Sequence, residues 1–143
     1  MKKAVNICLN DALTIAELKE NQVLISIRDR NWNYKLAIQD SYERMFCSTF
    51  GDCSEDAVEW RGTMFYGITD EQAREMYLFC EKHKDKDFIV HCTAGVSRSA
   101  AVCLFLNLCY DHVLKDKFFL TSSPNSRVVY KLLKVYYKNK NIQ

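Results

Sequence analysis

Proline, glycine and net charge are all scarce in this sequence, and each shortage removes a class of reading. One proline, Pro124, and four glycines in 143 residues leave few places for a flexible linker. A single domain over residues 1–143 is therefore expected, and 48% hydrophobic residues suit a packed core. Twenty Lys and Arg against 18 Asp and Glu give a net charge of +2, too even for nucleic acid as the main partner. No apolar run approaches the ~18 residues that would suggest a membrane span. The opening Met1-Lys2-Lys3-Ala4-Val5-Asn6 lacks the apolar core of a secretion signal, so a cytoplasmic location is expected. Seven cysteines, an odd number with no Cys-x2-Cys pair, argue against a zinc site and against a disulfide framework. Reduced thiols are the simpler account. There is no internal repeat and no low-complexity segment.

What is present centres on His91 to Ala101, HCTAGVSRSAA. The apolar run Asp87 to His91 ends at Cys92, five residues follow, and Arg98 then opens a long apolar helix-forming stretch from Ser99 to Tyr110. Strand, tight loop and helix together aim backbone N–H groups and a helix N-terminus at one spot, which then binds an oxyanion. A cysteine there, beside an arginine, is held toward its nucleophilic thiolate form. Arg98 supplies a planar fork that matches two phosphate oxygens. Gly95 allows a sharp turn and close approach to a ligand, and Ser99 is placed to donate to a sulfur. The phosphate-binding candidates are thus Thr93, Ala94, Gly95, Val96, Ser97 and Arg98, around the nucleophile Cys92. His91 reads as a structural partner of the loop rather than a base. The other cysteines read as small hydrophobes.

HCTAGVSRS resembles the Cys-x5-Arg signature of the cysteine-dependent protein tyrosine phosphatase superfamily, in the form that dual-specificity phosphatases carry. The resemblance implies a compact α/β domain with a mainly parallel central sheet flanked by helices on both faces. It implies phosphomonoester hydrolysis through a phosphocysteine, with Cys92, Arg98 and Ser99 in catalytic roles and no metal or other cofactor. It also implies a carboxylic acid on a neighbouring loop, because the leaving oxygen must be protonated as its bond to phosphorus breaks. Phe50-Gly51-Asp52 resembles the family's acid loop and makes Asp52 the first candidate. Asp52 stands 40 residues before Cys92, longer than the family's usual separation; Asp56, at 36, is the alternative, and Glu59 stands at 33.

The rest of the chain supports that order of elements. Ala4 to Leu9 and Val23 to Ile27 read as parallel strands. Thr14 and Glu17 form a capping-box pattern that predicts a helix between them, to about Glu20. Tyr42 to Phe50 reads as a third strand. Thr69 and Gln72 predict a helix start, followed by Ala73, Met76, Tyr77 and Cys80 on one face as far as about His83. Phe118-Phe119-Leu120 is undecided, and Pro124-Asn125-Ser126 opens a last helix with Val129, Leu132, Leu133 and Tyr136 inward. The polar loop Arg28 to Lys35 carries Trp32 and Tyr34, which either touch a substrate ring or anchor the loop. Cys53 is either an ordinary loop thiol or a reversible disulfide partner of Cys92.

Phosphotyrosine or mixed phosphoprotein substrates are the expected class. The loop interior, Thr93, Ala94 and Val96, has no lysine to favour a polyphosphorylated inositol lipid. An RNA 5′-triphosphatase of the same fold, or a catalytically weak phosphoprotein-binding module, are the alternatives.

Overall fold

The computed structural model describes residues 1–38 and 43–141. Five parallel strands form one sheet: β1 (Lys3–Ile7), β2 (Gln22–Arg28), β3 (Met45–Thr49), β6 (Asp87–His91) and the two-residue β7 (Val113–Leu114), in the order β3-β2-β6-β1-β7. β1 and β2 do not pair with each other. Both pair in parallel with β6, which lies between them, Ile7 opposite His91 and Ser26 opposite His91. The strand that delivers Cys92 is therefore central, with neighbours on both sides to hold its end.

Alternation along the strands splits the core. Val23, Ile25, Ile27, Phe88 and Val90 face a layer made by α2 (Asp70–Lys82), α3 (Arg98–Tyr110) and α5 (Ser126–Asn139). Leu24 and Ile89 face a smaller cluster with Ala12, Leu18, Leu36 and Ile38. The expectation of helices on both faces is met fully on the first face only. The second is covered by the short α1 (Leu9–Leu13) and by irregular chain.

Local signals account for most elements. The Thr69–Gln72 capping box is formed in both directions, and Ala73, Met76, Tyr77 and Cys80 are buried as predicted. α3 is buried on nearly every side, and α5 starts behind Asn125, whose side chain accepts from the Val128 N–H. Phe118–Thr121 forms a single short helix, α4. β3 begins at Met45; the predicted start at Tyr42 lies outside the described residues.

One prediction is corrected. The helix expected after Thr14 instead precedes it: Thr14 is the C-cap of α1, its hydroxyl donating to the Asp11 carbonyl at 2.7 Å. Leu9 and Ala12 form the buried face of that helix, and Leu18 reaches the same side of the sheet from non-helical chain. The residues between Asp52 and α2 have no assigned structure in the sequence. They form an antiparallel hairpin, β4 (Ala57–Trp60) and β5 (Thr63–Tyr66), around Arg61 (φ 49°) and Gly62 (φ 80°). Two successive residues at positive φ match the two-residue turn that the strand twist favours.

Candidate active site

The loops that follow β1, β2, β3 and β6 gather at one end of the sheet, as parallel topology requires. Residues 92–97 sit among them, and the carbonyls of Thr93, Gly95, Val96 and Ser97 are bonded to surrounding chain. Leu9 N–H donates to Thr93 O (3.0 Å), Ser123 N–H to Val96 O (2.9 Å) and Asn125 N–H to Ser97 O (3.1 Å). The buried Asn6 side chain donates to Gly95 O at 2.7 Å. Carbonyls fixed on the outside turn the amide N–H groups inward. One of these, Gly95 N–H, donates to Cys92 Sγ at 3.3 Å, and Ser99 Oγ lies 3.2 Å from the same sulfur. The sulfur thus sits on the loop floor with one backbone N–H and one hydroxyl beside it.

α3 starts at this floor without a side-chain cap and without an acid in its first turn. Its N-cap residue, Ser97, donates its hydroxyl to Asp52 Oδ1 at 2.8 Å instead. The positive end of the helix is left to whatever anion the loop holds.

Arg98 is 5% exposed and held from one side. Its Nη1 donates to Asp29 Oδ1 (2.8 Å) and to Phe50 O (2.7 Å), and Nη2 lies 3.4 Å from Thr93 Oγ1. Nε is buried without a partner among the described residues. The Nε and Nη2 edge is the pair of donors that grips two oxygens of one phosphate. Burying an unmade donor is costly, so this atom points to a ligand.

Asp29, one residue past β2, was not singled out by sequence. It also accepts from the Thr93 hydroxyl, closing a ring with Arg98. Burial pushes its carboxyl up, but the Thr93 hydroxyl and the Arg98 charge outweigh this and hold it below the usual carboxylate range. Ionised, Asp29 is a positioning residue for Arg98 rather than a proton donor. Only an Asp at the end of a buried strand hinted at it.

The structure separates the candidate acids. Asp52 accepts from Ser97 and from Asn125 Nδ2, both at 2.8 Å, and is tied to the Cys loop. Asp56 pairs with Arg127 at 2.8 Å with its side chain 96% exposed, and Glu59 lies on β4. Cys53 directs its sulfur at the carbonyls of Glu55 and Phe65, whereas Cys92 contacts Ser99 and Gly95. Trp32 is half-buried, with the Arg28 guanidinium 4.5 Å from its ring centre and Tyr34 at 5.3 Å. Trp32 and the half-exposed Tyr34 both line a cavity of about 380 Å³ shared with Asp29 and Thr93.

His91 is fully buried behind the loop. Arg28 Nε donates to Ser26 Oγ (2.9 Å), which lies 2.7 Å from His91 Nε2, while Nδ1 faces Cys92 O at 3.5 Å. This chain assigns a neutral ring with the proton on Nδ1. Burial, reinforced by the Arg28 and Arg98 charges against the Cys92 carbonyl, pushes His91 down from 6.5 to about 4. Between these values the unfolded chain binds a proton that the folded one refuses. Stability from this group is therefore complete above pH 6.5 and falls as the pH drops toward 4. At about 1.4 kcal/mol per pH unit the loss reaches about 3 kcal/mol. Urea unfolding at pH 7 and pH 4.5 is expected to show it, and His91→Gln to flatten the difference. An unchanged slope in that variant would assign the acid sensitivity elsewhere.

Among the described residues no group of three or more His, Cys, Asp or Glu is arranged to hold a metal ion, and no helix is long and apolar enough to cross a membrane. No family model matches the chain, and no curated protein is significantly similar to it.

Proposed function

We propose that the protein is a phosphomonoester hydrolase that works through a phosphocysteine, with a fold like that of a compact dual-specificity phosphatase. The observation that carries this reading is the buried, unpartnered Nε of Arg98 in a loop whose own cysteine sulfur accepts from the Gly95 N–H. In the first step the Cys92 thiolate attacks phosphorus and the bond to the leaving oxygen breaks. The loop amides and Arg98 hold the equatorial oxygens, and Asp52 gives its proton to the leaving oxygen. In the second step Asp52 takes a proton from water, the hydroxide attacks phosphorus, and the sulfur leaves as a thiolate that Ser99 stabilises. Phosphotyrosine or mixed phosphoproteins are the proposed substrates, met in the cytoplasm, where a thiol nucleophile stays reduced.

The test is phosphate release from an aryl phosphate, phosphotyrosine and phosphothreonine peptides, a 5′-triphosphate RNA and an inositol phospholipid, with Cys92→Ser as blank. Release from the aryl and peptide substrates that vanishes in the blank is expected. Release from RNA alone reassigns the substrate, and no release from any of them favours a phosphoprotein-binding module. Within the same assay Asp52→Asn is expected to cost about 10²-fold on peptides, and less on an aryl phosphate whose phenoxide leaves unprotonated. Asp56→Asn is expected to stay within twofold of wild type, since its side chain is 96% exposed and, unlike Asp52, makes no bond to the Cys loop. Equal losses for the two variants would remove Asp52 from the acid role.

A further inference from the structure

The β4–β5 hairpin forms its own two-stranded sheet, and one of its edges is open. Trp60 and Thr63 flank the two-residue turn and form a hydrogen-bonded pair, so pairing alternates from there along the register Glu59–Met64, Val58–Phe65, Ala57–Tyr66. Met64 and Tyr66 consequently turn their backbone groups away from β4. The Tyr66 carbonyl is taken by Gly51 N–H at 2.6 Å, which joins β5 to the acid loop. The outward N–H and C=O of Met64 have no partner among the described residues.

These groups border a groove of about 670 Å³. Met64, Phe65 and Tyr66 line one side, 38%, 41% and 53% exposed, and Asp29, Arg30 and Asn31 line the other. The groove runs to the candidate phosphate site, because Phe50 and Asp29, which also line it, are the residues that hold Arg98 Nη1. Asp29 is neutralised by Arg98, whereas Arg30 has no ion pair among the described residues. The groove therefore offers one strand edge, an apolar wall and one uncompensated positive charge.

We propose that this groove binds an extended segment of the phosphoprotein substrate, which adds to the β5 edge at Met64 and places an acidic side chain near Arg30. The proposal rests on the phosphatase reading for the residue that enters the Cys loop. A strand edge is satisfied by another polypeptide backbone, whose donors and acceptors have the matching spacing. Continuity with the phosphate site sets the distance between the docked residues and the phosphorylated one, and the single arginine selects acidic neighbours over the many phosphates of an RNA.

Binding to the Cys92→Ser protein measures docking without requiring turnover. The probes are an extended phosphotyrosine peptide with acidic neighbours, its copies N-methylated at one backbone position at a time, and a 5′-triphosphate RNA. One methylated position is expected to weaken binding about tenfold, the scale of a lost hydrogen bond. Met64→Pro, tolerated at an edge position, removes the other bond of that pair, from Met64 N–H to a peptide carbonyl, and is expected to cost the wild-type peptide about the same. Arg30→Glu is expected to reverse the preference for acidic over basic neighbours. Peptides that bind equally whether methylated or not, no peptide binding, or RNA binding that Met64→Pro weakens would each overturn the proposal. Hydrolysis of an aryl phosphate, too short to reach β5, reports separately on the phosphatase reading: its absence in the wild type sinks that reading, whereas its presence with indifferent peptides sinks only this one.

Discussion

Replacing Arg98 with lysine is expected to lower kcat/KM for an aryl phosphate by about 10³-fold, in the range of losing a fixed cationic donor at a developing phosphoryl charge. The guanidinium does two things at once. Its Nη1 is anchored on Asp29 Oδ1 and Phe50 O, which in the proposed mechanism leaves Nε and Nη2 for the substrate oxygens. An ammonium has one centre, and an anchor on Asp29 leaves it no second edge for the substrate. The variant should fold, because a lysine can still neutralise Asp29, and thermal unfolding checks that. Asp29→Asn is the companion measurement: Phe50 O still holds Nη1, so a loss near tenfold is expected, chiefly in KM, with Asp29→Glu recovering part of it. Wild-type kcat/KM in Arg98→Lys would remove the phosphate cradle as the centre of the mechanism.

The strand, loop and helix around Cys92 were the most legible part of the chain. A strand, a Cys-x5-Arg spacing with Gly95 between, and an apolar helix are local in sequence, and the structure keeps them contiguous from β6 into α3. The α2 capping box was equally local and formed as read. Asp29 was not legible, because its importance comes from a partner 69 residues away that only the sheet order brings close. Asn6, which ties the loop from β1, is distant in the same way. The hairpin had a local signal, Arg61-Gly62 between two short β-prone runs, yet its strands are largely exposed and carry no clean inside-outside alternation. Thr14 misled because the same Thr-x-x-Glu pattern that opens a helix also occurs where a hydroxyl closes one. Here the Thr14 hydroxyl donates to the Asp11 carbonyl and closes the helix that begins at Leu9.

Gly95→Ala is expected to cost about 3 kcal/mol of stability and to lower Tm by about 10 °C, from a backbone term of ~1–2 kcal/mol and an overpacking term of ~1–3. Gly95 has φ +74°, a region that side chains rarely occupy, and an added Cβ would stand 2.5 Å from Cys8 N and Ile7 C and 2.7 Å from Ile7 O. Those neighbours are backbone and cannot rotate away. They belong to the end of β1, which is paired with β6 at Ile7 and His91 and tied to the loop by the bond from Leu9 N–H to Thr93 O. Making room means either parting β1 from β6 or lifting Gly95 from Cys92, which forfeits its N–H bond to the sulfur. Activity should therefore fall with stability. Gly62→Ala supplies the contrast: its φ is +80°, but nothing lies within 4 Å of the added Cβ. Only the backbone term of ~1–2 kcal/mol then remains, and kcat/KM for an aryl phosphate should be unchanged. If Gly95→Ala matched Gly62→Ala in both Tm and kcat/KM, the wedge of the Cys loop against β1 would have no energetic weight, and the loop's shape would have to come from its outward carbonyl bonds alone.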